Sequence, residues 1–388
     1  PLPIEHERTK QMKNPTYIAD MLYRYARKRP LRLHMPGHKG RMGKDIFDSR
    51  LDITELGFSD DLRNSGGAIL ESERLCARLY KTKRALYTVG GATSGVHAFV
   101  AASKGKILTD SSCHVSVDNA AEIFGKTLVK LEKPKFSALS LDDVKRAIDN
   151  DGEIGTVLLT SPDYFGLCAP LEKIRDYLAE KNIMFFVDGA HGAHFGLDDE
   201  HLPACPAKFC DAAVVSCHKT LPAPTQTAAI LTNSDILADE LKKKLNMLCT
   251  TSPSYILLAG LDRAIAYCGE RAQKRLAELY YWLLVLKFRL ALLDVPVLEN
   301  DDFTRIVMDM SVWGVSGKAV FEYLCKKNIF AEMYCDDKVV LLFSMKNDRW
   351  DVRRVINAMS RLSKNKPPKE KATGTGPFEY PTKEQNQL

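Results

Sequence analysis

The sequence predicts an α/β protein: a mostly parallel sheet with helices on both faces, followed by a small α+β unit. Between residues 106 and 231, short β-rich apolar runs alternate with helical patterns. Strand, helix, strand at that spacing needs crossover connections, which parallel pairing requires. After Ser234 the pattern turns to long helical stretches and then to a short series of strands and helices.

Residues 1–50 read as an N-terminal arm with one helix, Tyr17 to Lys28, on which Ile18, Met21, Leu22 and Tyr25 share a face. That stripe is remote in sequence from the main core, and an isologous contact with a second copy would bury it. The large domain spans 51–290. Its glycine-rich turn, Val89 to Gly95 (VGGATSG), precedes a helical run, Val96 to Ala102. Lys106 to Asp110 reads as a strand, Val117 to Phe124 as a helix and Thr127 to Leu131 as a strand. Ser140 and Asp143 form a capping box for a helix reaching about Ile148. Thr156 to Thr160 is a buried strand, and Leu171, Ile174 and Leu178 mark one face of a helix ending at Glu180. Ile183 to Asp188, Ala212 to Ser216 and Thr227 to Leu231 are three more strands. Helix dominates from Ser234 to Leu293. The small domain, 291–363, reads as a strand at Arg305 to Met310, a helix at Gly317 to Lys327, a strand at Val339 to Phe343 and a helix at Asp351 to Ser363. Residues 364–388, rich in Pro, Lys, Gly and Thr, read as a disordered tail.

Composition excludes several classes. The 388 residues are 45% hydrophobic and 27% charged, enough for a sizeable core in more than one domain. A net charge of +6, from 55 basic and 49 acidic residues, is a mild excess, and no basic run interleaved with aromatics suggests nucleic-acid binding. The most apolar stretch, Tyr280 to Leu293, is interrupted by Lys287 and Arg289 and falls short of the roughly 20 apolar residues of a membrane span. The first residues, PLPIEHERTKQMKN, have no apolar core and do not read as a signal peptide. Ten cysteines with no CxxC pair suit reduced thiols and a cytoplasmic location.

Ligands of such sheets lie beyond the carboxyl ends of the strands, and four features fall there. The turn at Gly90 to Ser94 offers helix N–H groups and the Thr93 and Ser94 hydroxyls to a phosphate; a flexible capped turn is the bland alternative. Asp188 ends an apolar strand and must be hydrogen-bonded or paired with a cation there, or else serve as a helix cap. His191 and His194 follow it, but no third ligand accompanies them, so no metal site is expected. Ser216, His218 and Lys219 close another strand, where burial would make the lysine a usable nucleophile. Cys217 is a second candidate nucleophile, but strand alternation turns it away from its neighbours and favours a packed thiol. His114, after Cys113, could stack on a planar ring or be merely polar. A phosphate cradle, an acidic strand end and a lysine 31 residues later are in the order expected for pyridoxal 5'-phosphate: the lysine for a Schiff base, the carboxylate for the pyridine nitrogen. No GxGxxG opens a helix after the first strand and no GKS or GKT occurs, which excludes nicotinamide and P-loop readings.

Several longer motifs carry a family resemblance. Ser216 to Ala223 (SCHKTLPA) and Thr225 to Ala228 (TQTA), His34 to Gly40 (HMPGHKG), Asp52 to Glu55, Asp60 to Leu62, Ile69 to Glu73 and Thr251 to Asp262 (TSPSYILLAGLD) resemble segments of the Orn/Lys/Arg decarboxylase family. Its members are pyridoxal-phosphate enzymes with the aspartate-aminotransferase fold (fold type I), and the resemblance covers about residues 15–350. It implies a cytoplasmic homodimer that decarboxylates lysine, ornithine or arginine to the amine and carbon dioxide. It further implies that Lys219 holds the cofactor, Asp188 pairs with the ring nitrogen, His114 stacks on the ring and His191 lies under it. Ala92, Thr93, Ser94, Ser216 and His218 would surround the phosphate, and Thr251 and Ser252 would reach the phosphate of the neighbouring subunit. The chain departs from the family at Gly90 to Ser94, where N-G-T-S is usual, and at Arg63, where DDLH is usual. It also lacks the family's PGIP…PGE-like stretch, the mark of a short form without the carboxy-terminal domain. Alternatives on the same cofactor are an aminotransferase, with Arg305 or Arg349 holding the substrate carboxylate, another amino-acid lyase, or a degenerate non-catalytic member.

Overall fold

The computed structural model describes residues 14–30, 32, 35–36, 39, 48–198 and 200–364. Most of the His34 to Gly40 motif and the expected disordered tail beyond Lys364 lie outside the described residues. In chain order the elements begin with α1 (Tyr17–Arg27), α2 (Ala68–Leu79), β1 (Arg84–Thr88), α3 (Gly91–Ala102), β2 (Lys106–Asp110), α4 (Val115–Phe124) and β3 (Leu128–Leu131). Then come α5 (Leu141–Asn150), β4 (Ile154–Thr160), α6 (Leu171–Glu180), β5 (Met184–Asp188), β6 (Ala212–Val215), α7 (Cys217–Thr220), β7 (Ala228–Thr232) and α8 (Asp235–Leu248). The chain continues through α9 (Tyr255–Ala291), β8 (Arg305–Asp309), α10 (Gly317–Lys326), β9 (Met333–Cys335), β10 (Lys338–Leu342) and α11 (Arg349–Lys364). Two compact units meet at Lys274 and Arg275, within α9.

The first unit holds a seven-stranded sheet in the order β1-β7-β6-β5-β4-β2-β3. β6, β5, β4, β2 and β3 are mutually parallel, while β7 runs antiparallel to both of its neighbours. The order puts β5 in the middle, where both edges of the strand are paired and near-continuous apolar sequence is expected. Phe186 stacks on Phe99 of α3 with ring centroids 4.5 Å apart, in a core shared with Val96, Val214, Ile230 and Leu241. Phe185 and Val187, of the opposite parity, are buried as well, so both faces of the strand are covered. Gly95 lets α3 lie close on the sheet, since a Cβ there would stand 2.5 Å from a Val214 methyl. The capping box at Ser140 and Asp143 forms as expected.

In the second unit β8, β10 and β9 make an antiparallel sheet in that order, with α10 packed on β9 and β10. Arg305 is fully buried at the start of β8, and Arg349 opens α11 with its guanidinium 4.9 Å from the Trp350 ring centroid.

Two expectations are corrected. The α1 stripe needs no second copy: Ile18, Met21 and Leu22 are buried within the chain, where α1 packs on α2. The buried Asp262 carboxylate of α9 accepts from the Ile18 and Ala19 N–H groups at 3.0 and 3.2 Å, pinning the start of α1. The strand expected to end at Ser216 stops at Val215, and Cys217 and Lys219 stand on the short helix α7. Cys217 is buried because the helix turns it inward, not because of strand alternation.

The Asp60-Asp61-Leu62 segment is structural in this unit. The Asp60 carboxylate accepts from the N–H groups of Gly66, Gly67 and Ile69, each at 2.8 Å, and so caps α2 from a distance. The Tyr255 hydroxyl donates to the Asp60 carbonyl, which ties the TSPSY segment to the same loop. Partial burial works against the Asp60 charge, but the N–H donors outweigh it and hold its pKa below the ordinary carboxylate value. The stabilisation is therefore present above about pH 4, the unfolded value, and is lost as pH falls through the lower folded value. Asp60→Ala is expected to cost about 1–2 kcal/mol at pH 7 by urea denaturation. The gap from wild type should shrink below about pH 3; a gap independent of pH would show that the charge is not what caps α2.

Candidate active site

Five strand ends converge on one cavity of about 220 Å³. β1 leads into Gly91, Ala92 and Thr93, β2 into Ser112 and His114, β4 into Thr160 and Tyr164, β5 into Asp188 and His191, and β6 into Ser216, His218 and Lys219, all of which line it. The parallel sense of β2, β4, β5 and β6 brings these carboxyl ends to one edge of the sheet.

Asp188 is the centre of the site. It lies beside Thr160 of β4 and Val214 of β6, and its side chain is 3% exposed. One carboxylate oxygen accepts from the Ala190 N–H at 3.1 Å. Burial pushes its pKa up, and nearby Lys219 pulls it down by less. A buried carboxylate so poorly compensated favours a cation in the cavity. Asp110, also buried, accepts from the Thr160 N–H at 3.1 Å and from the Ser112 hydroxyl at 2.5 Å, which fixes the β2 and β4 ends together.

The imidazoles have distinct fixings. His114 is the N-cap of α4 and accepts from the Ser116 N–H through Nδ1 at 3.2 Å. His218 donates from Nδ1 to the Thr227 carbonyl at 3.1 Å. The TQTA segment thus holds α7, and Gln226 accepts from the Gly91 N–H at 2.8 Å, so it also holds the start of α3. Helix α3 begins five residues earlier than the sequence predicts, which places Ala92, Thr93 and Ser94 in its first turn. Among the described residues no side chain caps that turn. Its N–H groups and positive dipole end therefore form a cradle for an anion at the cavity wall. The donor set, a helix N-terminus with hydroxyls at one end, a buried carboxylate in the middle and a lysine, fits pyridoxal phosphate.

Of the residues expected in the site, Ala92, Thr93, His114, Asp188, His191, Ser216, His218 and Lys219 line the cavity together. Ser94 stands on the same turn but donates back to the Gly90 carbonyl at 3.3 Å. Thr251 and Ser252 are exposed on the loop between α8 and α9 and do not line it. His194 lies outside the lining, edge-on to Phe195 at 4.9 Å. Among the described residues no group of three or more His, Cys, Asp or Glu side chains is placed to hold a metal ion. Sequence reasoning missed Tyr164, whose ring lies 4.3 Å from that of His191. Its signal was position alone, four residues beyond the end of a buried parallel strand.

The Orn/Lys/Arg decarboxylase major-domain family matches residues 15–292. An uncharacterized Bacillus subtilis protein, YaaO, is 31% identical over 92% of this chain and 79% of its own. A protein named arginine decarboxylase from Bacillus cereus is 26% identical over 91% of this chain and 83% of its own. The constitutive lysine decarboxylase of Escherichia coli superposes with a TM-score of 0.77 at 17% identity, covering 90% of this chain. The chain spans 61% of that structure's length. The fold is that of the fold-type-I pyridoxal-phosphate enzymes.

Cys217 is fully buried, and burial pushes its thiol up to about 12. The thiolate is the reactive form. Maleimide at pH 8 should therefore leave Cys217 unlabelled in the folded protein and label it after unfolding, read by peptide mass spectrometry. Rapid labelling of the native chain would restore it as a nucleophile.

Proposed function

The chain belongs to the Orn/Lys/Arg decarboxylase family of pyridoxal-phosphate-dependent carboxy-lyases, and on that premise we propose that it decarboxylates a basic amino acid, lysine, ornithine or arginine, to the amine and carbon dioxide. The observation that carries the reading is the cavity in which Asp188, Lys219, His114 and the start of α3 meet. The relative named arginine decarboxylase supports a basic substrate.

In this reading Lys219, which lines the cavity, would hold the cofactor covalently through Nζ. When bound, the cofactor supplies a sink for the electron pair left on the α-carbon as carbon dioxide departs. Asp188 would hold a proton on the ring nitrogen, a cation that would offset the burial which Lys219 offsets only in part. His114 covers the ring face. The N–H groups of Ala92, Thr93 and Ser94 at the start of α3 and the Thr93 hydroxyl would hold the phosphate, together with Ser216 and His218. The buried position of Asp188 keeps water from competing for that proton and strengthens its field on the reacting atoms.

The working unit in this proposal is a cytoplasmic homodimer. Thr251 and Ser252 are exposed outside their own cavity, which suits a reach toward the phosphate of a partner. Ten cysteines without a CxxC pair suit a reducing compartment.

Four outcomes are expected. Borohydride reduction after addition of pyridoxal phosphate should leave the cofactor on the peptide containing Lys219, and an amino-acid panel should give carbon dioxide without keto acid for a basic substrate. Keto acid in place of carbon dioxide would turn the assignment to an aminotransferase, and an adduct on another lysine would move the site. Asp188→Asn should still bind the cofactor through its phosphate contacts but lose at least about 100-fold in turnover, on the scale of one lost electrostatic contact in a buried site; unchanged turnover would reduce Asp188 to a cap. In sedimentation across a concentration series, cofactor should shift the equilibrium toward dimer. A fully active monomer at micromolar concentration would end the shared-site reading.

A further inference from the structure

Lys219 Nζ lies 2.9 Å from His191 Nε2. An ammonium has only protons to offer, so Nζ donates and Nε2 accepts, leaving the ring proton on Nδ1. The ring of His191 is itself held. Tyr164 packs against it at 4.3 Å with the planes 54° apart, and Lys219 Nζ sits 5.8 Å from the centroid of the same tyrosine ring. The two turns that carry Tyr164 and His191 are pressed together at Gly192, where a Cβ would stand 2.7 Å from Pro162 Cδ. His191 is 5% exposed, so its imidazole meets few competing waters.

A lysine in water, with an ordinary pKa of about 10.4, is almost wholly protonated at neutral pH, and an ammonium cannot attack a carbonyl. Imidazole, with an ordinary value of about 6.5, is the side chain suited to take that proton and return it. We propose that His191, positioned by Tyr164, is the proton acceptor and donor for Lys219, freeing Nζ as a nucleophile when the lysine attaches to the cofactor and returning a proton to it when it leaves. The inference rests on Lys219 being the cofactor lysine. On attachment Nζ gives one proton to Nε2, and its lone pair forms the C–N bond. The carbonyl oxygen leaves as water with the two hydrogens still on nitrogen, and the imidazolium returns its proton to the nitrogen of the new double bond.

The charged and titratable groups facing the pair come from every neighbouring strand end. They are Asp188 after β5, His114 ahead of α4, His218 beside Lys219 on α7 and Tyr164 after β4, with Asp110 at the end of β2 acting on Asp188. Asp188 and Asp110 set a field that favours a proton on either member of the pair. His114 and His218 are imidazoles in the same cavity, so the test must separate them from His191.

Reductive methylation of the full chain, before cofactor is added, measures the nucleophilicity of Lys219 without relying on turnover. Peptide mass spectrometry gives its rate relative to exposed lysines such as Lys181. In the native chain the relative reactivity of Lys219 should already be high at pH 7, with an inflection in the imidazole range. His191→Gln retains an acceptor for the hydrogen bond but takes no proton; its Lys219 should react at least about tenfold more slowly at pH 7 and recover near pH 10, in keeping with a general base worth about 100-fold or more. His114→Gln and His218→Gln should keep the inflection. Equal reactivity and equal pH profiles in the native chain and His191→Gln would overturn the proposal. So would a native profile whose only inflection lies in the ordinary lysine range, a result that needs no variant to fold. Neither outcome bears on whether the cofactor binds at Lys219, which the borohydride adduct decides separately.

Discussion

The buried carboxylate of Asp188 is the constraint around which the site is organised. It sits at the end of the central strand β5, 3% exposed, with a backbone N–H on one oxygen and a lysine near enough to lower its pKa but not to offset burial. Burying a carboxylate is costly unless pairing and hydrogen bonds make up for it, and here burial outweighs them. Such a group is tolerable where a ligand brings the missing cation. The strand order makes this position available by placing β4 and β6 on either side of β5, so that Tyr164 and Lys219 arrive from the flanks.

The scaffold serves that position. The Gly95 approach lets α3 lie against Val214 and Ile230, which brings its uncapped first turn to the same sheet edge as Asp188. The TQTA segment reaches both α3 and α7 through backbone carbonyls, so the proposed phosphate cradle and the lysine are fixed to one another rather than independently. Asp60, Tyr255 and Asp262 lie in segments that carry the family resemblance, yet their observed bonds cap α2, tie down the Asp60 loop and start α1. Motif residues of this kind hold the frame of the site rather than its chemistry.

Much of this was legible in the sequence because the strands of a doubly covered sheet are short, apolar and end in polar residues. Asp188, Ser216 and Lys219 announced themselves as charges or hydroxyls against apolar runs. β1 was missed because Arg84 and Thr88 bracket only three apolar residues, and its strand character comes from antiparallel pairing with β7. The α1 stripe looks orphaned in the sequence because its partners are remote: α2 begins only at Ala68, and Asp262 lies 244 residues from Ile18. Tyr164 was invisible for a different reason: a loop residue carries no periodicity, and only the convergence of β4 with β5 shows what it faces.

The most direct test of this account is the protonation state of the ring nitrogen opposite Asp188. Nitrogen-15 NMR of the full chain reconstituted with ring-labelled pyridoxal phosphate reads it without any substrate. The account predicts a pyridinium shift that persists into alkaline solution in the native protein and moves to the neutral pyridine value in Asp188→Asn. A neutral ring nitrogen at pH 7 in the native protein, with the cofactor on Lys219, would contradict it.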